Sequence, residues 1–360
     1  MTGEHRIVVL GAGYAGMSAA KKAAKARGAR VTVVNARAEF TQRVRLHQVA
    51  AGQRIEAWDL REALQAKGID FVQAHVTNID AEARQVRLDD GRALPYDTLI
   101  YALGSIADLS GVPGAAEHAH SVATPELVRR IPELTGRVAV VGSGSTGIET
   151  ATELAEARPD LTVLLVGSEE PGSWLSDKAR KHIRAALDRK GVQVLVGKVG
   201  AVHADGLELV DGAWIAAETV LWTTGFAVPD VAARSGLAVD ARGRVLVDDA
   251  LRSQSHPEVY AVGDAAVMPS PDGREMRMSC ATAMPAGEYV GHAVADRLRG
   301  KQPAAYAGRY VAQCISLGRR DAVFQLVKAD DTMTGTVVTG RPGSWIKELI
   351  VRGTNWGSRP

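Results

Sequence analysis

The chain has 360 residues, 46% hydrophobic and 23% charged, with 43 basic against 41 acidic side chains and a formal charge of +2. At one domain per ~150 residues this is two or three domains, and the near-neutral balance excludes a disordered chain, a coiled coil and a strongly basic nucleic-acid binder. Aromatics are 5% of the residues and the cysteines are only Cys280 and Cys314, which excludes a base-stacking platform, a disulfide scaffold and a four-thiolate metal centre.

The opening MTGEHRIVVLGAG lacks the order of a signal peptide, and no apolar run reaches the ~18 residues that span a bilayer. A cytoplasmic protein is expected. Residues 6–35 (RIVVLGAGYAGMSAAKKAAKARGARVTVVN) read as a β-branched strand, a glycine turn, an Ala-rich helix and a second strand. Residues 137–167 (RVAVVGSGSTGIETATELAEARPDLTVLLVG) repeat that order. The turns are Gly11-Ala12-Gly13-Tyr14-Ala15-Gly16 and Gly142-Ser143-Gly144-Ser145-Thr146-Gly147. In a dinucleotide fold the first glycine makes the tight turn and the second lets backbone amides approach a pyrophosphate. The third lets the helix pack close, with its positive N-terminus aimed at the phosphates. Two copies in strand–turn–helix–strand context point to two bound dinucleotides.

The residue ending the second strand of such a unit holds the adenosine ribose, and an acid is expected there. Asn35 stands at that position in the first copy, with an amide able to bond ribose hydroxyls. Gly167 stands there in the second, followed by Ser168, Glu169 and Glu170. Two acids and no arginine favour NADH over NADPH. Between the copies, FTQRVRLHQVAAG (40–52) carries Arg43, Arg45 and His47. His47 is a candidate proton donor to a reduced acceptor, because histidine titrates near neutrality.

Residues 75–105 alternate apolar and polar around Asp90-Gly91, a hairpin signal, and end in a buried strand running into Ala102-Leu103-Gly104-Ser105. The segment ETVLWTTGF (218–226) repeats this ending with Thr224 and Gly225. Next, PEVYAVGDAA (257–266) delivers Gly263 and Asp264 to the carboxyl end of a strand, where ligands of such sheets bind, so Asp264 is a candidate for a ribitol or ribose hydroxyl.

The succession GAGYAG, YDTLIYALGS, VGSGSTGIE, TTGF and VYAVGDAA resembles the two-dinucleotide-binding-domain flavoproteins, also called pyridine nucleotide-disulfide oxidoreductases, over about residues 5–300. The resemblance implies an α/β fold with two Rossmann-like domains and a small C-terminal α+β domain. The expected division is a discontinuous FAD domain at 1–110 and 240–300, an inserted NAD(P)H domain at 111–239, and a C-terminal domain at 301–360 ending in a short amphipathic tail. It implies FAD on the first glycine turn with Asp264 on the ribitol side, and NADH on the second turn with Glu149 near the nicotinamide.

Disulfide reductases of this family carry C-x-x-x-x-C where residues 40–52 lie, and that stretch has no cysteine. Electrons are therefore expected to leave from the flavin itself rather than through a dithiol. RLHQVAAG resembles the LxQVAxG stretch of type II NADH:quinone oxidoreductases and the related apoptosis-inducing-factor-like oxidoreductases. MSCATAMPAGEYVGHAVADRL (278–298) is similar to the helix that these proteins aim at the flavin pyrimidine, with the amides of Ala283 and Met284 at its start. Those quinone oxidoreductases usually have Ala-Gln where this chain has Ala283-Met284. Met284 is therefore a candidate wall of the acceptor pocket.

The acceptor expected is a quinone-like small molecule. The alternatives are a ferredoxin or rubredoxin docking on Arg43, Arg45 and Arg274–Arg277, or a low-turnover flavin-binding redox sensor. CISLGRRDAVFQLV (314–327) reads as two strands about a Gly-Arg-Arg-Asp turn. Trp345, Ile346, Leu349 and Ile350 form an amphipathic stripe expected to dock on the body or on a second subunit of a homodimer, with peripheral membrane contact at the inner face as the alternative.

Overall fold

A computed structural model describes residues 4–359. Two five-stranded sheets, all parallel, organise the chain. The first begins with β1 (His5–Leu10), α1 (Tyr14–Ala23) and β2 (Ala29–Asn35), followed by the short helix α2 (Leu46–Ala50) and β3 (Asp70–Gln73). An antiparallel meander of β4 (Val76–Asp80), β5 (Gln85–Leu88) and β6 (Ala93–Pro95) then leads back to β7 (Thr98–Tyr101). Ile7 through Leu10 are at most 3% exposed, as expected for a parallel sheet covered on both faces.

The second sheet is built the same way. It comprises β8 (Ala119–Ser121), β9 (Arg137–Val141), α3 (Ser145–Ala157), β10 (Thr162–Gly167), α4 (Asp177–Arg189) and β11 (Gln193–Val196). A second meander, β12 (Val199–His203), β13 (Gly206–Leu209) and β14 (Trp214–Ala216), returns to β15 (Thr219–Trp222). Later, β16 (Val259–Ala261) rejoins the first sheet and is followed by the long helix α5 (Cys280–Leu298). The strand orders are β16-β7-β1-β2-β3 and β11-β10-β9-β15-β8. The registers match too: Leu10 lies opposite Val34 and Tyr101, and Val141 opposite Val166 and Trp222.

The remaining residues form an antiparallel sheet of β17 (Ala312–Ser316), β18 (Ala322–Val327) and β19 (Met333–Thr339), then α6 (Gly340–Ser358). This sheet has no separate core: Ile315, Leu317, Val323 and Val337 pack with Val138, Leu154 and Ile183 of the second unit. Polar bonds reinforce the join, from Trp174 Nε1 to Gln313 Oε1 (2.8 Å) and from Arg189 to Asp321 (2.8 Å). Helix α6 then crosses to the first unit, where Lys21 Nζ donates to the Gly357 carbonyl (2.5 Å) and Trp58 Nε1 to Asn355 Oδ1 (3.0 Å). The helix is longer than the tail anticipated from the sequence, because Pro342 falls within its first turn, where proline is tolerated.

Helices α1 and α5 touch backbone to backbone. A Cβ on Gly287 would lie 2.1 Å from the Ala15 carbonyl oxygen, and one on Gly291 2.5 Å from that of Ala19. Only residues without a side chain permit this approach, which sets the start of α5 beside the first glycine turn. Gly287→Ala is expected to force the helices apart at a cost of about 1–3 kcal/mol. Denaturant unfolding should show the loss as a lowered midpoint with an unchanged slope.

Candidate active site

In the first glycine turn, Gly11 has φ +96°, and a Cβ there would sit 2.4 Å from the Ala102 carbonyl oxygen. Gly13 is open: nothing lies within 4 Å of where its Cβ would be, and no side chain caps α1. The first amides of α1, including those of Tyr14 and Ala15, thus face a cradle that a phosphate fits. Gly16 packs its helix onto the Gly11 carbonyl, 1.9 Å from a would-be Cβ. Ala15, Gly263 and Ala283 meet beside the turn, and Gly104 stands in open space after β7. Asn35 ends β2, and its amide braces the turn itself: Oδ1 accepts from Ala12 N–H (3.0 Å) and Nδ2 donates to the Arg37 carbonyl (2.9 Å).

A polar cluster lies next to it. Arg43 Nη1 donates to the Ser105 carbonyl (3.0 Å) and hydroxyl (2.9 Å), and that hydroxyl donates to Asp264 Oδ2 (2.6 Å). The guanidinium lies 3.7 Å from Asp264 and over the Phe226 ring. Arg43 Nη2 is buried without a partner, a free donor beside an open cradle. Arg43, Gly263 and Asp264 thus gather around the first turn, and a guanidinium donor, a carboxylate acceptor and the open cradle fit FAD.

The second turn repeats the geometry. Gly142 has φ +116°, with the Thr223 hydroxyl and Thr224 Cβ at 2.8 and 3.0 Å from a would-be Cβ. Gly147 packs on the Gly142 carbonyl, Gly144 is open, and α3 starts uncapped at Ser145 and Thr146. Gly225 lies against Asp108, where the chain passes between the sheets. Ser168, Glu169 and Glu170 are exposed beyond β10, Glu169 accepting from Ser173 Oγ (2.6 Å) and Glu170 pairing with Arg184 (3.3 Å). The cradle fits a dinucleotide, and the acids at its rim oppose a 2′-phosphate.

Glu149 sits one turn into α3 and is only 9% exposed. Its Oε1 accepts from Lys347 Nζ of α6 (2.6 Å) and from Ser316 N–H of β17 (3.0 Å), and Lys347 also donates to the Cys314 carbonyl (3.1 Å). Burial alone would raise the Glu149 carboxyl, but the Lys347 ammonium and the hydrogen bonds hold it below its ordinary value. Burial pulls the Lys347 ammonium down, and Glu149 more than restores it. His47 of α2 approaches from the other side, Nδ1 3.9 Å from Glu149 Oε2, with Nε2 buried and unpartnered. Desolvation lowers the His47 pKa to about 4, so the ring is neutral at pH 7 and holds one proton rather than two. His47 and Lys347 border a pocket of about 120 Å³ that Trp345, Arg319 and Gln48 also line.

Lys347 had no signal in the sequence, since it lies 198 positions from Glu149. Met284 of α5 abuts the end of α6, its Cε 3.2 Å from where a Cβ on Gly357 would lie. Both cysteines lie within the field of Lys347 and Glu149, and burial raises both thiols, that of Cys314 to about 11. They are thus poor thiolates at neutral pH. Of the arginines proposed for docking, Arg45 pairs with Glu348 (2.8 Å), Arg277 with Asp331 (2.6 Å) and Arg274 with Asp272 (2.5 Å), while Arg43 is turned into the cluster with Ser105 and Asp264. Among the described residues no cluster of His, Cys, Asp and Glu is placed to hold a metal, and no helix is long and apolar enough to cross a membrane.

Two matched parallel sheets, each with an open glycine cradle, define a two-dinucleotide-binding α/β protein of the Rossmann type. Residues 5–287 match the pyridine nucleotide-disulphide oxidoreductase family, and the chain belongs to it. It is 33% identical over 351 residues to an NADH dehydrogenase-like protein of Mycobacterium tuberculosis, covering 89% of this chain and 87% of that one. It is 26% identical over 385 residues to a type II NADH:quinone oxidoreductase of Staphylococcus aureus, covering 96% and 94%. Its fold is similar to that of the sulfide:quinone oxidoreductase of Aquifex aeolicus, with TM-score 0.84, 20% identity and coverage of 99% and 91%. The NDH2 of Plasmodium falciparum, solved with NADH, superposes with TM-score 0.81 at 14% identity, covering 99% of both chains.

Neutral, buried His47 makes stability depend on pH. The unfolded chain takes up a proton near the ordinary 6.5, while the folded chain declines it until about 4. Stability present above pH 6.5 is therefore lost as pH falls through that window, by roughly 1.4 kcal/mol per unit at most. Urea unfolding at pH 7, 6 and 5 should show a shallower pH dependence for His47→Gln than for the native protein.

Proposed function

We propose that the chain is an FAD-dependent NADH dehydrogenase that passes electrons to a quinone-like small acceptor without a redox disulfide. The observation that carries this reading is the pair of glycine turns of the same build, each leaving a helix N-terminus uncapped beside open space. FAD on the first turn supplies hydride acceptance from NADH and two-electron delivery to the acceptor. In this reading residues 1–110 and 240–300 form the FAD domain, 111–239 the NADH domain and 301–360 the C-terminal domain.

The chain's own residues bind and position. The α1 amides hold the FAD pyrophosphate, and Arg43, Ser105 and Asp264 bond its polar chain. Helix α5 starts at Cys280, ahead of the Ala283 and Met284 expected at its start, and the Ala283 amide is spent on the Ser279 carbonyl (3.0 Å), so the helix would favour a reduced flavin through its dipole rather than through that amide. The α3 amides hold the NADH pyrophosphate, and the acids beyond Ser168 disfavour the phosphorylated form. Neutral His47 keeps one N–H to offer an acceptor in the adjoining pocket, and Glu149, held ionised by Lys347, stands 3.9 Å from Nδ1 on the other side of the ring, a gap that one bridging water spans. The ion-paired arginines weaken the ferredoxin or rubredoxin alternative, which needs free cations at the rim. The raised thiols support direct flavin-to-acceptor transfer. A small, half-enclosed pocket suits a flat organic acceptor better than a docked protein.

Purified protein should release FAD on denaturation, and the anaerobic NADH-reduced protein should be reoxidised by a water-soluble quinone within its turnover time. Reoxidation by ferredoxin but not by quinone would reverse the choice of acceptor. Asp264→Ala removes a charge-assisted hydrogen bond worth about 1.5–3 kcal/mol, so its Kd for FAD should rise about tenfold or more.

The reading includes peripheral attachment to the cytoplasmic face of a membrane. Most of the stripe on α6 turns outward, with Trp345 75%, Leu349 72% and Ile350 41% exposed and Ile346 half-buried, and Trp356 beyond it is 81% exposed. Arg341 on the same helix suits anionic headgroups, while Arg352 pairs with Glu348 (2.8 Å). Trp345→Ser with Leu349→Ser should lower cosedimentation with anionic vesicles about tenfold or more, at about 1.5–3 kcal/mol for each apolar side chain no longer buried.

A further inference from the structure

Reduction of a quinone-like acceptor by NADH consumes a proton from solvent. NADH gives two electrons and one proton as hydride, and the dihydro product needs a second: NADH + H⁺ + acceptor → NAD⁺ + acceptor-H₂. The pocket beside His47 is half-enclosed by α2, α6 and the β17–β18 turn, but His47 itself is only 4% exposed and its Nε2 is buried. Protein groups packed against the ring are therefore the direct supply of a proton to it.

Helix α3 carries glutamates at 149, 153 and 156, spaced four and three apart and hence on one face. Burial is graded along them. The Glu156 side chain is 33% exposed and pairs with Lys190, with Arg319 N–H donating to Oε1 at 3.1 Å. Glu153 is 1% exposed; Gln53 Nε2, just beyond α2, donates to its Oε1, while Oε2 is buried with no partner. Glu149 comes next, within 3.9 Å of His47, which is 4% exposed and whose unpartnered Nε2 belongs to a ring lining the pocket. A purely structural carboxyl at 153 would have both oxygens satisfied, because an orphaned buried oxygen costs about 1–3 kcal/mol. An oxygen that carries a proton, and passes it on, has reason to stay free.

We propose that Glu156, Glu153 and Glu149 form a proton path along one face of α3, with Glu153 as the proton-holding station that resupplies His47. This rests on the acceptor reading above. Glu153 gives its proton to Glu149, which passes it to His47 Nδ1 while the ring releases the proton on Nε2 to the acceptor. Glu153 then regains a proton from solvent through Glu156, so each turnover moves one proton inward. The groups facing Glu153 are Glu149 and Glu156 on its own helix, Arg319 from the β17–β18 turn and neutral Gln53. Burial raises its carboxyl, the two acids add to that, and Gln53 and Arg319 oppose it without cancelling the rise.

The test is Glu153→Gln in the FAD-loaded protein. The amide preserves shape and can still accept from Gln53, but it cannot carry a proton. NADH-driven reduction of a water-soluble quinone should fall at least tenfold, with a larger solvent deuterium isotope effect. Reduction of ferricyanide, which takes up no proton, should fall no more than twofold, a split that mere loss of structure would not produce. Glu153→Asp should recover part of the quinone rate. An unchanged quinone rate in Glu153→Gln, or a parallel fall with both acceptors, overturns the relay alone. A native protein that reduces ferricyanide but no quinone overturns the acceptor reading and the relay with it.

Discussion

A carboxylate in the interior needs an answering charge, and for Glu149 that answer comes from the far end of the chain. Lys347 reaches Glu149 from α6, and the same carboxyl oxygen takes the Ser316 amide from β17. An unpaired buried charge costs several kcal/mol, so this contact fixes where the C-terminal sheet and helix must lie. The consequences spread outward. With α6 anchored at Lys347, Glu348 meets Arg45, Asn355 meets Trp58, and the end of the helix comes to rest beside Met284. The last sixty residues thereby clamp both dinucleotide units, and the pocket beside His47 exists because three segments distant in sequence close around it.

The fold was legible because its signals are local. A glycine turn is recorded in six consecutive residues, and strand–turn–helix–strand appears twice in one line of sequence. The first meander showed itself through the alternation of residues 75–105 about Asp90-Gly91, and the pairing of β17 with β18 through one Gly-containing turn. The site was legible only where it uses those same signals. Gly13, Gly144 and Asp264 stand where their motifs put them, at the carboxyl ends of parallel strands.

Contacts between distant segments were not legible. No spacing joins Glu149 to Lys347, or Gln53 to Glu153. Asn35 looked like a ribose ligand from its place at the end of a strand, yet its amide braces the turn, a choice that depends on where the Ala12 amide points. Arg45, Arg274 and Arg277 looked like a docking surface as residue types, and each pairs with an acid: Arg274 with nearby Asp272, Arg45 and Arg277 with Glu348 and Asp331, which no spacing joins to them. The amphipathic stripe of α6 was visible as a pattern, but which way it faces depends on Lys347 pulling the opposite side of the helix inward.

The two sheets share one strand order but acquire their edge strands from opposite directions along the chain. The second sheet takes β8 from just before its glycine turn, so all its strands lie within residues 119–222. The first sheet must wait for β16 at 259–261, and its helix α1 waits for α5. Chains grow at about 5–20 residues per second, so on the ribosome the first sheet spends several seconds or more with an uncovered edge after β7 has emerged. The second sheet can condense during that interval and hold the two halves of the first on either side of a finished body. An inserted unit of this kind acts as its neighbour's assembly jig, and slowing its folding would expose the edge of β7 to aggregation.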